Sequence, residues 1–547
     1  MIVRCLTPGF GLLLGLAFSA PAPVRAAAPD PVADASSGQV PAPGTLVFFP
    51  IDEVSIPWRA NLKVTLEAPK KYEANPVFRA GPPAAPDGFG AILYGTVIKD
   101  GGKLRMWYLA TPRGEHAELM GHFARPLAYA ESQDGIHWTR PDLGLVEFRG
   151  NKHNNLPLVE PESEPYAMVR DFVAVILDPS DPDPSRRYKM SYITRDVPLR
   201  SESAATAVSP DGLRWQLINR SMITRGHFEN TGLVKFDGLY YMTGQNVPPY
   251  DANLLDGSPA GRLMKVFFSP DFSHWSEGRA MSFYRRDYQP RPLHIGQETH
   301  MGAGVWNRGN VILGLYGAWH GDTIVKAPSP TKPLPDDGLL GLTTDLGLVV
   351  SNDAIHYREP VPGFVMVHHG TDAEWDARAV LQANAMANVG DETLIWYSNW
   401  NTSRSDGAPP IARKLSAETQ LRMFAVGMAR MPRDRFGYFS KSLPTTVEEG
   451  PAASCLTRSI RLDRPSRLYA NVASVSATRP LEIALVDDAE RPLAGYTAKL
   501  TRDAFKEPIE WAGGLQELPA GVPFRVKAIW AANVDQAKLY ALYVDAE

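Results

Sequence analysis

The 547-residue chain carries 56 Lys and Arg against 60 Asp and Glu, a net charge of −4, and is 44% hydrophobic. That length supplies two or three domains with real cores, and the near-neutral balance argues against nucleic-acid binding, which needs a basic excess or stripe. With 45 Gly, 48 Pro, 12 Trp and 20 Tyr, the composition favours short strands and tight turns over long helices.

The first segment, MIVRCLTPGFGLLLGLAFSAPAPVRAAAPD, has one arginine, an apolar stretch of signal length and then small residues. It reads as a secretory signal peptide over residues 1–28, with cleavage expected around Ala26 to Ala28. Gly and Pro interrupt the stretch and it is short for a membrane span. Residues 29–44, rich in Ala, Pro, Ser and Gly, read as a flexible leader. Cys5 falls in the removed segment and leaves only Cys455, so an intrachain disulfide or a cysteine-based metal site is not expected. No later stretch is long and apolar enough to cross a bilayer, and the expected location is periplasmic or extracellular.

The mature region is organised by a repeat. SQDGIHW at 132–138, SPDGLRW at 209–215, SPDFSHW at 269–275 and SNDAIHY at 351–357 share Ser-x-Asp-x-x-x-Trp/Tyr, a pattern that chance would supply only about 0.1 times in such a chain. Each copy follows one short apolar strand and precedes another, so it reads as a turn in an antiparallel pair: Asp accepts backbone N–H bonds, Gly relieves the φ constraint, and the aromatic ring packs between units. Upstream of each copy lies a hairpin of an apolar strand, a polar turn and an aromatic-rich strand, as in AILYGTVIKDGGKLRMWYLA and GAGVWNRGNVILGLYGAW. A fifth hairpin, AVLQANAMANVGDETLIWYSNW, is followed by MFAVGMARMPRDRFGYF in place of strand, motif and strand, with Asp434 and Tyr438 at the motif's spacing.

Five units of four strands predict an all-β fold, a five-bladed β-propeller over residues 45–445. From 446 to 547 the alternation continues without the motif and predicts a C-terminal β-sandwich. Two polar segments, 322–338 and 401–420, read as long loops over one face.

In a propeller the leading end of each blade's first strand opens onto the axis. Those ends carry Asp87, Asp171, Glu229, Glu298 and Asp376. Converging carboxylates are costly unless cations, arginines, shared protons or a metal offset them. Such a cluster is what glycoside hydrolysis needs: one carboxyl with a raised pKa to protonate the leaving oxygen, and one ionised as nucleophile or base. Asp171, Glu298, Asp87 and Asp376 are the expected catalytic residues. Arg170 and Arg378 as bidentate donors, Glu229, His300 and His320 as polar partners, and Trp375 as a stacking face are the expected substrate contacts.

The stretch YAESQDGIHWTRPDLGLVEFRGNKHNN, the Asp turns and the five hairpins together resemble the five-bladed propeller glycosidases of glycoside hydrolase families 32 and 43, over most of residues 45–445. The resemblance implies a nucleophile or base from the first blade, a second Asp that supports the transition state, and a Glu general acid, roles that fall by position to Asp87, Asp171 and Glu298. The family's Trp-Met-Asn-Asp-Pro signature is missing, its Arg-Asp-Pro appears as Arg170-Asp171-Phe172, and its Glu-Cys as Glu298-Thr299, so fructan hydrolysis is not implied. The partner is then a carbohydrate, with no cofactor required. The alternative is a non-catalytic carbohydrate-binding propeller with Ca²⁺ in its channel.

Overall fold

The computed structural model describes residues 36–112, 125–160, 171–196, 201–220, 228–246, 263–285, 299–320, 343–371, 374–377, 379–399, 424–442, 453–531 and 536–546. The expected signal peptide and the two long loops lie outside these residues. The described chain is all-β, with one short 3₁₀ turn at Pro184–Arg186 and no α-helix among the described residues. None of its helices is long and apolar enough to cross a membrane.

Four sheets are consecutive antiparallel meanders. The first contains Gly90–Asp100, Lys103–Thr111, Leu127–Ser132 and Trp138–Thr139. The second contains Asp171–Leu177, Tyr188–Asp196, Ser201–Ser209 and Arg214–Asn219, with Leu158–Glu160 added in parallel at its edge. The third runs through Phe228–Phe236, Leu239–Asn246, Leu263–Ser269 and Ser276–Glu277, and the fourth through Thr299–Asn307, Ile312–His320, Thr343–Ser351 and Val365–Val367. In the fifth sheet, Val380–Leu381 and Met386–Val389 both pair with Glu392–Asn399, which pairs with Val426–Pro432. Its outermost strand is not the segment after Pro432 that the sequence suggested. It is Lys70–Lys71, from far upstream, paired with Ala429 and Arg430.

The first strands of sheets one to four lie side by side in order, and the fifth sheet touches both the fourth and the first. Single bridges join Thr96 to Asn384 and Thr344 to Ala379. The inner strands approach so closely that a Cβ on Gly232 would stand 2.3 Å from the Ala303 carbonyl oxygen, and one on Gly304 2.1 Å from that of Ala383. Only glycine fits there.

The repeated turn joins neighbouring sheets. Ser132 Oγ accepts the Gly135 N–H at 2.8 Å, and Asp134 Oδ1 accepts those of Ile136 and His137 at 2.9 and 2.8 Å. The same bonds recur at Ser209/Asp211 and Ser351/Asp353. The residue after each Asp is left-handed: Gly135, Gly212, Phe272 and Ala354. That conformation turns a carbonyl toward the adjacent sheet. Trp396 of the fifth sheet donates to Gly135 O at 2.8 Å, and Trp107 of the first to Gly212 O at 2.7 Å.

Two further sheets share one buried core. One has the order Leu62–Leu66, Gly437–Lys441, Lys538–Ala546, Ser466–Ala473 and Ala504–Pro508, with Leu46–Phe48 also on Lys538–Ala546. The other has the order Trp58–Ala60, Ala453–Leu456, Arg525–Trp530, Leu481–Val486 and Pro492–Leu500. Strands from before residue 67 and from 437–441 thus complete sheets that the sequence assigned to 446–547 alone.

Residues 36–40, read from composition as flexible leader, are built into the molecule. Ser37 N–H donates to Met386 O, Gln39 Nε2 to Lys99 O, and Val40 N–H to Leu177 O. They bridge the trailing ends of inner strands in sheets one, two and five.

Candidate functional site

Strand register shows which leading-end residues are equivalent. The serine of each Asp turn stands opposite Leu104, Tyr188, Tyr240 and Ile312 on the second strands of sheets one to four. Five positions further along those strands are Leu109, Ile193, Gln245 and Gly317, which face Ile92, Asp171, Glu229 and His300. In the fifth sheet Pro432, at the serine's place, stands opposite Glu392, and Leu381 faces Ser398, six positions further along. That level of the inner strands therefore carries polar residues on sheets two, three and four and an apolar residue on sheet one, with Leu381 of the fifth sheet one step beyond it. Asp171 is placed here by its backbone. Glu298, Arg170 and Arg378 lie outside the described residues, Glu298 two positions before His300.

The inner strands of sheets one to four bulge close to this level: between Ile92 and Thr96, Asp171 and Val173, Asn230 and Gly232, and His300 and Ala303. Phe172 and Met301, at two of these bulges, have φ of 35° and 63°, a region costly for residues with a Cβ. The fourth-sheet bulge is held from both sides. Gln245 Oε1 accepts the Met301 N–H at 2.8 Å and Gln245 Nε2 donates to Glu229 Oε2 at 2.7 Å. From the fifth sheet, Gln382 Nε2 donates to the His300 and Gly302 carbonyls at 2.6 and 2.8 Å.

Beneath the polar residues, Ile92, Tyr94, Phe172, Met301 and Leu381 belong to one buried apolar cluster. Tyr94 stacks on Phe172 with centroids 3.6 Å apart, and His300 stacks on Trp319 at 5.1 Å.

Asp87 and Asp376 do not share the level of Asp171 and Glu229. Asp87 lies five positions before Ile92 and Asp376 five before Leu381, in matching loops where Gly81 N–H bonds to Asp87 O and Gly370 N–H to Asp376 O. Both carboxylates are buried and engaged. Asp87 Oδ2 accepts from Tyr108 OH and Arg140 Nε, each at 2.7 Å, and Asn155 Nδ2 reaches the same hydroxyl at 2.8 Å. Asp376 Oδ2 accepts from Lys71 Nζ at 2.7 Å and Tyr397 OH at 3.0 Å, with Asn75 Nδ2 on that hydroxyl at 3.3 Å. Burial, then the neighbouring carboxylate, raises the pKa of both tyrosines, which stay protonated donors. The Asp, Tyr, cation and Asn form the same bracket in sheets one and five. Trp375 packs beside that of the fifth sheet, its ring 5.7 Å from Tyr397.

His320 belongs to a cluster that the sequence reading did not identify. Asp345, 5% exposed, accepts the His369 N–H at 2.7 Å and lies 2.7 Å from His369 Nδ1, 3.2 Å from His320 Nε2 and 3.6 Å from His368 Nδ1. Burial opposes ionisation of Asp345, but the hydrogen bonds from His320 and His369 prevail and hold its carboxyl below the ordinary range. The adjacent histidines in VHHG were the available signal. Among the described residues no group of three or more His, Cys, Asp or Glu is arranged to hold a metal ion.

No family model matches the chain. The uncharacterized protein Rv1502 of Mycobacterium tuberculosis is 28% identical over 169 residues, 30% of this chain and 48% of that protein. The chain thus spans about half the length of the curated relatives it matches. Among solved structures, a glycosyl hydrolase from Bacteroides ovatus aligns at 14% identity with a TM-score of 0.41, covering 71% of this chain and 99% of that one. A thermostable family-43 glycoside hydrolase aligns at 14% with a TM-score of 0.39, covering 62% and 89%. A GH130 structure, from a family of mannoside phosphorylases containing glycoside hydrolases that target β-1,2 mannosidic linkages in Candida mannan, aligns at 15% with a TM-score of 0.38, covering 70% and 97%.

Proposed function

We propose that the protein is an exported glycoside hydrolase whose five inner sheets form a closed propeller, with a β-sandwich built on the remaining two. The carrying observation is the shared level of Asp171, Glu229 and His300 on three consecutive sheets, flanked by the left-handed residues Phe172 and Met301. Backbone strain of this kind is retained where surrounding structure fixes it, often at sites that must aim a side chain.

In this reading Glu298 protonates the glycosidic oxygen while Asp171 remains ionised as nucleophile or base. Glu229, held by Gln245, is the third carboxylate. His300 and His320 bind sugar hydroxyls. Asp87 and Asp376 anchor loops instead of reacting, because each already neutralises a cation within its bracket. The signal-like first 28 residues support export.

The test is hydrolysis across chromogenic glycosides and polysaccharides. Glu298→Gln and Asp171→Asn should each lower kcat by about 10²–10⁴-fold with an unchanged melt. Asp87→Asn and Asp376→Asn should lower the melt and keep turnover per folded molecule. Full activity in Glu298→Gln removes that residue from the acid role. Glycan affinity without turnover in the wild type replaces the enzyme with a binding module.

A further inference from the structure

The bracket of the first sheet differs from that of the fifth in one respect. In the fifth, the cation Lys71 and the amide Asn75 are four residues apart. In the first, Arg140 and Asn155 hold the equivalent places but are fifteen residues apart. The intervening segment, PDLGLVEFRGNKHN, takes the place of the three residues between Lys71 and Asn75 in an otherwise matching arrangement. It walls a cavity of about 470 Å³ against the Asp87 loop.

The cavity is preformed. Arg140 ties its two walls together by donating to Asp87 and to the Arg79 carbonyl. The segment is braced internally: Phe148 and Asn151 exchange backbone hydrogen bonds, Asn151 Oδ1 accepts the His153 N–H at 2.7 Å, and Asn154 Nδ2 donates to Val146 O at 2.8 Å. Pro82, Pro86 and Phe148 supply apolar surface, and Asn151, His153 and Asp142 supply polar edges. Asp142 Oδ2 lies 2.7 Å from His153 Nδ1. A carboxylate only accepts, so Nδ1 carries the proton and the Nε2 edge is the one a ligand meets.

We infer that this cavity, away from the inner-strand level, is a second carbohydrate site that binds one sugar ring. The volume lies in the range of small-molecule sites. A pyranose has an apolar C–H face that suits the proline and phenylalanine wall, and vicinal hydroxyls that suit the Asn, His and Asp edges. The choice of sugar as ligand rests on the glycosidase reading; the cavity does not.

Ligand-observed NMR with D-glucose, D-galactose, D-mannose, D-xylose, L-arabinose and D-glucuronate on the full chain tests it, without reference to turnover. Ala84→Trp fills the cavity from an exposed position, and His153→Ala removes one polar edge. Binding of at least one sugar should be lost in Ala84→Trp and weakened about tenfold in His153→Ala, and should persist in Asp171→Asn. Both cavity variants should melt as the wild type does. Sugar binding that is unaffected by Ala84→Trp and His153→Ala, or no binding by any of the six, overturns the second site. Loss of hydrolysis with retained cavity binding would instead fall on the function proposed above.

Discussion

The four Ser-x-Asp turns and Asp434 share a spacing in the sequence and have opposite physical lives in the fold. Asp134, Asp271 and Asp353 satisfy their carboxylates within a few residues, and their side chains remain roughly half exposed. Asp434 is sealed. Arg308 grips both its oxygens, at 2.5 and 2.9 Å, and Asn388 and Tyr543 add bonds at 3.1 and 3.0 Å. One pattern therefore builds a local turn four times and a long-range clamp once. Burial and partner distance decide the energy, and the motif does not.

The largest expected effect is at the clamp. Arg308→Met leaves a buried carboxylate unpaired and should cost about 3–5 kcal/mol, read by chemical denaturation; a loss under about 1 kcal/mol would mean that the two classes of Asp do not differ. A pH series sharpens the same contrast. Burial raises the Asp434 pKa, but Arg308 outweighs it and the net shift is downward. A depressed folded pKa gives stability that is present above the ordinary carboxylate value near 3.9 and is lost as pH falls through the folded value. Asp434→Asn should therefore be less stable at neutral pH and show a shallower acid loss than wild type. Parallel curves would contradict that account.

Smaller effects belong to the turns. Asp134→Ala removes two local backbone bonds and should cost about 1 kcal/mol. His137→Ala, whose ring is 85% exposed beside Asp134, should change stability by less than about 0.5 kcal/mol. A His137 effect equal to that of Asp134 would show that the exposed ion pair, and not the backbone bonds, holds the turn.

The sheets were legible because their signals are local: alternation, hairpin turns and a motif that fixes the third-strand register. What was not legible was non-local. Nothing in Lys70–Lys71 announces pairing with Ala429 and Arg430, and the low complexity of 29–44 hid the backbone bonds made by Ser37 and Val40. The five acids looked equivalent because each preceded a strand, yet Asp87 and Asp376 lie in loops five positions before Ile92 and Leu381, while Asp171 and Glu229 stand in the paired strands themselves. The matching intervals Gly81 to Asp87 and Gly370 to Asp376 were visible in the sequence and would have separated them.

The strands at Leu46–Phe48 and Lys70–Lys71 are synthesised early and matched late, to Lys538–Ala546 and Val426–Pro432. The fifth sheet lacks its outer strand's partner until Val426–Pro432 has emerged, and Leu46–Phe48 waits longer still, for Lys538–Ala546. Such distant closure makes for slow final assembly, and unpaired edges in the interval invite association between chains. The exposed interval closes only when Leu46–Phe48 has met Lys538–Ala546.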